Sequence, residues 1–371
     1  MVSRGSHVVV AMSGGVDSSV AAALLVEQGY QVSGVMMHLW AEEENRCCAP
    51  DAVEDARRIA EQLGIPFRLV DYESEFKACV VDYFVAEYSR GRTPNPCLAC
   101  NRHIRFGRLL RQAREMGAEA LATGHYAQLD REGAACRLRM GADPQKDQSY
   151  VLYMLGQEEL GQVLFPVGRH TKVEVRELAR QRGLPVAGKD ESMEICFVTD
   201  DDYRRFLREH APQAVRPGPI LDSAGSEIGR HEGLPFYTIG QRRGLGIAAA
   251  RPLYVIAIDV PANRIRVGFA EELDVTRIEV DRFAPLVDDL HDEGYKDREI
   301  VARIRHRHHG AVVKAWRLRD GRLTVDLAGP ERGVSPGQAL VLFDGEAVLG
   351  GGRIVSTGCD DNREESPCPV S

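Results

Sequence analysis

The string Ser13-Gly14-Gly15-Val16-Asp17-Ser18-Ser19 follows the apolar run His7–Met12 and leads into a helical pattern over Ser18–Gln28 that stops at Gly29. A strand that turns through two glycines into a helix exposes backbone amides at the positive helix end, where a phosphate or pyrophosphate is held. The glycines allow close approach of the backbone, the serines donate hydrogen bonds, and Asp17 is placed to bind magnesium or cap the helix. A Gly-rich turn with no ligand is the alternative, and so specific a string argues against it. The string has no Gly-Lys-Ser/Thr, so it is not a Walker A loop and lacks the lysine that reaches the terminal phosphates. Nor is it a GxGxxG dinucleotide turn.

Strand and helix signals alternate through the first half. Gln31–Met37 reads as a second strand, Asp51–Leu63 as a helix stopped by Gly64 and Pro66, and Phe67–Asp71 as a third strand. Glu75–Tyr88 sets Phe76, Val80, Phe84 and Tyr88 on one helical face, and a helix over Ile104–Met116 precedes a strand over Glu119–Thr123. Such alternation implies a parallel sheet covered on both faces. Thr171–Arg182 opens with a capping box, Thr171 and Glu174, and stops at Gly183 and Pro185. After Asp200–Glu209, short strands come at close intervals: Leu253–Asp259, Arg264–Val267, Arg277–Val280, Ile300–Ile304, Leu323–Leu327 and Ala339–Phe343. The expected division is an α/β domain over 1–210, a small β domain over 211–275, a second over 276–358 and a polar, frayed tail over 359–371.

A chain of 371 residues has room for two or three domains, and 44% hydrophobic with 27% charged residues is ordinary for a soluble globular protein. It has no apolar run of membrane-spanning length and no signal-peptide pattern at the N-terminus, so a cytoplasmic protein is expected. A net charge of −8 argues against non-specific coating of nucleic acid, but two local patches are basic. Tyr88–Arg114 holds seven arginines and no acid, and Val301–Arg322 holds seven Lys and Arg against Asp320, with His306, His308 and His309 among them. Solvated basic faces are the bland explanation; two in an acidic chain point to a polyanionic partner.

Nine cysteines without a secretory signal read as thiols, metal ligands or redox groups rather than a disulfide framework. Cys97 and Cys100 lie in Thr93-Pro94-Asn95-Pro96-Cys97-Leu98-Ala99-Cys100-Asn101, where the two prolines are expected to keep them on a stiff turn before helix Ile104–Met116. A thiol near a helix start and several arginines should ionise more readily. Cys196 falls in what reads as a short apolar strand, Glu194–Val198, and a buried inert cysteine is the commoner fate of such a residue. A structural zinc site is disfavoured, because Cys47-Cys48 is an adjacent pair without tetrahedral spacing, and Cys79, Cys136, Cys359 and Cys368 form no constellation.

The loop resembles the SGGxDS loop of the N-type ATP pyrophosphatases (PP-loop superfamily), which split ATP to AMP and pyrophosphate while adenylating a substrate oxygen. Over nearly its whole length the chain resembles the tRNA-specific 2-thiouridylase family (MnmA, also called TrmU). The matching strings are Gly91-Arg92-Thr93-Pro94-Asn95-Pro96 with Cys100-Asn101, Thr123-Gly124-His125-Tyr126, Lys146-Asp147-Gln148-Ser149-Tyr150, Ser192-Met193-Glu194-Ile195-Cys196-Phe197 and Phe236-Tyr237-Thr238-Ile239-Gly240-Gln241-Arg242-Arg243-Gly244-Leu245.

The resemblance implies a tRNA-uridine 2-sulfurtransferase acting on the wobble uridine of the tRNAs for Lys, Glu and Gln. ATP with magnesium would adenylate the C2 oxygen. Sulfur would arrive as a persulfide on Cys196, loaded by a cysteine desulfurase or a relay protein, and Cys100 would be the nucleophile, forming a transient disulfide with Cys196. By position, Ala11, Met12, Ser13, Gly14, Gly15, Val16, Asp17, Ser18, Met37 and Gly124 match ATP-contacting residues, and His125, Lys146, Asp147, Gln148, Arg305, His306 and Gln338 match tRNA-contacting ones. The architecture implied is an adenine-nucleotide α hydrolase-like domain, a central β domain and a C-terminal β barrel that grips tRNA.

Two positions depart from the family. His306 stands where an aromatic Tyr is expected, which weakens stacking. Cys97 stands where many members carry an Asp proposed as general acid/base; a thiol still exchanges protons near its ordinary pKa of about 8.5. The extra thiol also motivates a [4Fe-4S] cluster on Cys97, Cys100 and Cys196 with one iron open to carry sulfide. Two competing readings stay open: an ATP pyrophosphatase acting on a small molecule, and a non-catalytic RNA-binding protein on an inherited ATPase fold.

Overall fold

The computed structural model describes residues 3–42, 50–133, 135–189, 195–198, 200–287, 290, 292–295 and 297–358. Cys47-Cys48, Ser192-Met193-Glu194, Cys359, Cys368 and the tail over 359–371 lie outside the described residues. The chain divides into two compact units: Met1–Val81 with Pro96–Asp202 and Glu346–Val348, and Asp82–Asn95 with Tyr203–Gly345 and Leu349–Ser371.

The first unit is built on a five-stranded parallel sheet. Its strands are β1 (His7–Met12), β2 (Gln31–His38), β3 (Phe67–Asp71), β4 (Ala120–Ala122) and β7 (Val163–Leu164), in the order β3-β2-β1-β4-β7. β1 is central, and Val8, Val9 and Val10 are fully buried, as a strand covered on both faces requires. Helix α1 (Val16–Glu27) buries Val20, Ala21, Ala22, Ala23 and Leu25, so small apolar residues on several faces let it sit inside the layer. Helix α2 (Pro50–Leu63) is amphipathic instead, with Ala52, Ala56, Ile59 and Ala60 inward at helical spacing. Helix Lys172–Gln181 starts at the expected cap, Thr171 accepting from the Glu174 amide and the Glu174 carboxylate accepting from Thr171. An antiparallel hairpin, β5 (Ala127–Glu132) with β6 (Ala135–Met140), completes the unit and was not foreseen.

Two other expectations fail locally. The helix leading to Glu115 begins at Pro96, eight residues earlier than the sequence pattern puts it, and runs through π-helical Cys100–Leu109. Proline suits the first helical position, where its missing N–H costs no bond and its fixed φ favours the turn. Pro96 therefore starts the helix rather than delaying it. The segment at Cys196 is a turn and not a strand over the described residues 195–198, closed by the Val198 amide donating to the Ile195 carbonyl at 3.1 Å. Its apolar character serves to seat Phe197 and Val198, 1% and 0% exposed, in the core.

The second unit contains a four-stranded sheet of β8 (Gly218–Leu221), β9 (Glu227–His231), β10 (Tyr254–Asp259) and β11 (Arg264–Gly268), in the order β10-β11-β8-β9. The remaining strands are β12 (Val275–Pro285), β13 (Ile300–Arg303), β14 (Ala311–Arg319), β15 (Arg322–Glu331), β16 (Ala339–Asp344) and β17 (Ala347–Gly358). They pair in the order β12-β15-β14-β13-β16-β17, and β17 returns to β12, closing an antiparallel barrel around Ile278, Val280, Trp316, Leu323, Val325 and Leu342. Among the described residues no helix is long and apolar enough to cross a membrane.

Candidate active site

Strand order reverses at β1: the chain runs outward through β2 to β3, then returns to place β4 on the other side. Ligands of open parallel sheets bind at the carboxyl ends of strands beside such a switch point. Ser13–Gly15 leaves β1 there, and Gly124 leaves β4 beside it. The loop is closed on itself: the Ser13 amide donates to Ser18 Oγ at 3.2 Å, and Ser18 and Ser19 hydroxyls donate to the Gly15 carbonyl at 3.2 and 2.7 Å. Gly14 has φ +65°, and a Cβ on it would stand 2.3 Å from the Ala52 carbonyl oxygen of α2. A Cβ on Gly124 would stand 2.7 Å from the Ser18 amide. Both glycines are therefore needed to form the cradle. Ala11 and Met12 end β1, Met37 lies in β2, and all three are buried.

Two lysines distant in sequence supply the cations that the loop lacks. Lys172 Nζ donates to both oxygens of Asp17 at 2.7 and 2.8 Å, and the Tyr126 hydroxyl donates to Oδ1 of the same carboxylate at 2.7 Å. Lys189 Nζ donates to the Gly14 carbonyl at 3.0 Å and to Asp55 at 2.7 Å. From the sequence, Asp17 and Gly14 are assigned to the site and Tyr126 falls in a matching string, but Lys172, Lys189 and Asp55 are given no role. One signal was available for Lys172: it occupies the first turn of a well-capped helix, where the macrodipole disfavours a cation by up to about 1 kcal/mol. A charge held there against the dipole needs an anion nearby.

The candidate thiols all belong to the first unit. Cys97 is exposed, Cys100 buried and Cys196 half-buried. Cys97 and Cys100 lie one helical turn apart in the first turns of the helix that Pro96 begins. Their turn packs on the helical segment Lys77–Val81. Phe197 meets Phe76 edge to face at 5.9 Å, at the start of the same helical stretch, so one support carries both thiol-bearing segments. Asn101, fully buried, donates to the Val151 carbonyl at 2.9 Å and fixes the start of the Cys100 helix.

The residues matched to tRNA contacts fall into different settings. His125 is buried, within 2.7 Å of Thr123 Oγ1, with its ring in a cluster with Phe106 and Phe165, which also meet each other. Burial, helped by the Arg105 charge, lowers its pKa to about 3, so the ring is neutral. Asp147 is buried and accepts from the amides of Gly141 and Ser149 and from the Ser149 hydroxyl. Gln148 exchanges two hydrogen bonds with the backbone of Tyr126, and Lys146 beside it is half-buried. In the second unit Arg305 is exposed, His306 half-buried, and Gln338 donates from its amide to the Thr93 carbonyl at 2.9 Å. The basic patches are partly neutralised: Arg90 and Arg92 pair with buried Glu87, Arg108 with Glu75, Arg114 with Glu158, and His308 with Glu331. Arg305, Arg307 and His309 stand exposed on the stretch after β13.

Family models match in chain order: a tRNA methyl transferase HUP domain over residues 6–200, a tRNA methyl transferase PRC-barrel domain over 204–269 and an aminomethyltransferase beta-barrel domain over 278–354. The chain is 46% identical over 370 residues to a tRNA-specific 2-thiouridylase MnmA of Roseiflexus castenholzii, covering 94% of this chain and 99% of that one. It is 49% identical over 355 residues to the protein of the same name from Chloroflexus aurantiacus, covering 94% and 98%. The Moorella thermoacetica protein of that name is 48% identical over 355 residues, covering 94% and 99%.

Proposed function

Because the chain belongs to the tRNA-specific 2-thiouridylase family, we propose that it replaces the C2 oxygen of the wobble uridine with sulfur in the tRNAs for Lys, Glu and Gln, driven by ATP. The observation that carries this reading is a phosphate cradle and three candidate thiols in one compact unit. The matching family models are described by methyl transfer. Methyl transfer has no use for a pyrophosphate-holding loop or for paired thiols, so the site supports thiolation.

The amides of the loop and the hydroxyls of Ser13 and Ser18 hold the phosphates, with Lys172 beside them. The Asp17 carboxylate and the serine hydroxyls are hard oxygen donors that suit magnesium, which when bound neutralises the departing pyrophosphate. The uridine C2 oxygen attacks the α-phosphate and pyrophosphate leaves, while the Cys97 thiolate accepts the N3 proton, which it returns to the base once the sulfur is in place. The terminal sulfur of the Cys196 persulfide then attacks C2, and AMP departs with the former C2 oxygen. Cys100 thiolate attacks Sγ of Cys196, the S–S bond breaks with its electrons to the base sulfur, and a Cys100–Cys196 disulfide remains for a thiol reductant to reopen. Arg305 neutralises tRNA phosphate, with His306, Gln338, Lys146, Asp147, Gln148 and His125 shaping the tRNA-facing surface directly or from beneath.

The protein works in the cytoplasm, with a cysteine desulfurase or relay protein loading Cys196, and its parts divide at 1–210, 211–275 and 276–358. A [4Fe-4S] cluster on the thiolates of Cys97, Cys100 and Cys196 is a further part of the proposal, resting on their chemistry as soft donors; iron content and visible absorption after anaerobic purification test that addition.

The test is incubation with ATP, magnesium, a persulfide donor and unmodified tRNA for Glu, then digestion and mass spectrometry. Wild type is expected to make 2-thiouridine. Cys100→Ser is expected to release pyrophosphate in a tRNA-dependent manner and make no thiouridine. Pyrophosphate release on a small molecule without tRNA would favour the other ATP pyrophosphatases.

A further inference from the structure

The Gly14 carbonyl belongs to the phosphate loop, yet it accepts from a side chain 175 residues away, Lys189 Nζ at 3.0 Å. Lys189 is itself held by Asp55 at 2.7 Å, with side chains 36% and 26% exposed. Asp55 lies one helical turn after Ala52 on α2, and it is the Ala52 carbonyl oxygen that a Cβ on Gly14 would strike at 2.3 Å. One face of α2 thus presses on Gly14 and, through Asp55 and Lys189, grips its carbonyl.

A peptide bond is planar, and in the trans form the N–H of the next residue points opposite to the C=O. The described chain has no cis peptide bond, so a Gly14 carbonyl aimed at Lys189 turns the Gly15 N–H the other way. Gly15 is the N-cap of α1, and its amide is among those at the positive helix end that face an anion. Glycine has no Cβ to resist rotation of that peptide plane, and two adjacent glycines leave it loosely specified by the loop's own residues. An external cation fixes it.

We propose that Lys189, held by Asp55, is a positioning residue for the nucleotide, locking the Gly14–Gly15 peptide so that the Gly15 amide faces the phosphates. Lys189 acts through the backbone and does not touch the phosphate itself. The proposal rests on the reading of the loop as an ATP site.

The experiment titrates a non-hydrolysable ATP analogue into the full-length protein by calorimetry and follows tRNA-dependent pyrophosphate release. Lys189→Met is expected to weaken the analogue and raise the KM for ATP about tenfold, the loss expected for one charge-assisted contact. The turnover number should change by less than about threefold, because the contact is present before and during reaction alike. Lys189→Arg should restore most of the affinity, since a guanidinium still reaches carbonyl and carboxylate together. Asp55→Asn should give a smaller loss, and the double variant Lys189→Met with Asp55→Asn should bind no worse than Lys189→Met alone. Analogue binding by both Lys189→Met and Asp55→Asn equal to wild type, or additive losses in the double variant, overturns the proposal and leaves the ATP reading standing. A wild-type protein that binds no analogue overturns both. If Lys189→Met does not fold, Asp55→Asn and Lys189→Arg decide the matter through the same KM and turnover readouts.

Discussion

Asp17 accepts from an ammonium and a phenol at once, so magnesium bound there competes with Lys172 for the carboxylate. Asp17→Asn is expected to raise the magnesium needed for half-maximal pyrophosphate release by about tenfold or more, as loss of a charge-assisted contact dictates. A metal titration of the variant checks it. His125 makes a prediction about acid. Its pKa is about 3 in the folded protein, against an ordinary value near 6.5 when unfolded, so below pH 6.5 the unfolded chain binds a proton that the folded one refuses. Stability contributed by the neutral ring is complete above pH 6.5 and is lost as pH falls from there towards 3, at most about 1.4 kcal/mol per pH unit. Denaturant midpoints of His125→Gln should fall less steeply than those of wild type across pH 6.5 to about 4. The loop residues were legible in the sequence because their chemistry is local. Lys172, Lys189 and Asp55 were not, because only the folded chain brings them to the loop.

The helix that begins at Pro96 and the turn at Cys196 hold the candidate thiols, and the sequence pattern misplaces the first at its start and the second in its type. Read as a breaker, Pro96 delays the helix; placed at the first helical position, it starts it. The pattern over Glu194–Val198 predicts a strand because the apolar residues that seat the described turn over 195–198 in the core look, over so few positions, like those of a buried strand. Elements with clear periodicity, such as β1, β3 and helix Lys172–Gln181, lie where their patterns put them. The hairpin β5–β6 and strand β17 lack a strand period in the sequence: Asp130, Arg131 and Glu132 are consecutive polar residues in β5, and β17 runs through Gly350, Gly351 and Gly352, which supply no side chains to alternate. Because Phe197 is buried against Phe76, Phe197→Ala should cost about 3 kcal/mol of stability by opening a cavity. It should also reduce thiouridine formation more than tRNA-dependent pyrophosphate release, since the turn positions Cys196 and not the nucleotide. Comparing the two products in one assay separates these effects.

At the scale of the whole molecule, a net charge of −8 argues only against non-specific coating of nucleic acid, and the local basic patches point towards a polyanionic partner. The change from α/β to β was plain from strand spacing, but closure of the barrel came from the family resemblance and not from the pattern. Binding to tRNA through the exposed cations after β13 should weaken steeply with salt, and Arg305→Ala should reduce the slope of log K against log salt by about one. Filter binding at several salt concentrations checks this.

The central claim is that ATP activates the C2 oxygen of uridine so that sulfur can displace it. Unmodified tRNA carrying a heavy-oxygen label at C2 of the wobble uridine tests it most directly, with mass spectrometry of the AMP released. The account predicts one labelled oxygen in AMP for each thiouridine made; thiouridine formed with unlabelled AMP would contradict it.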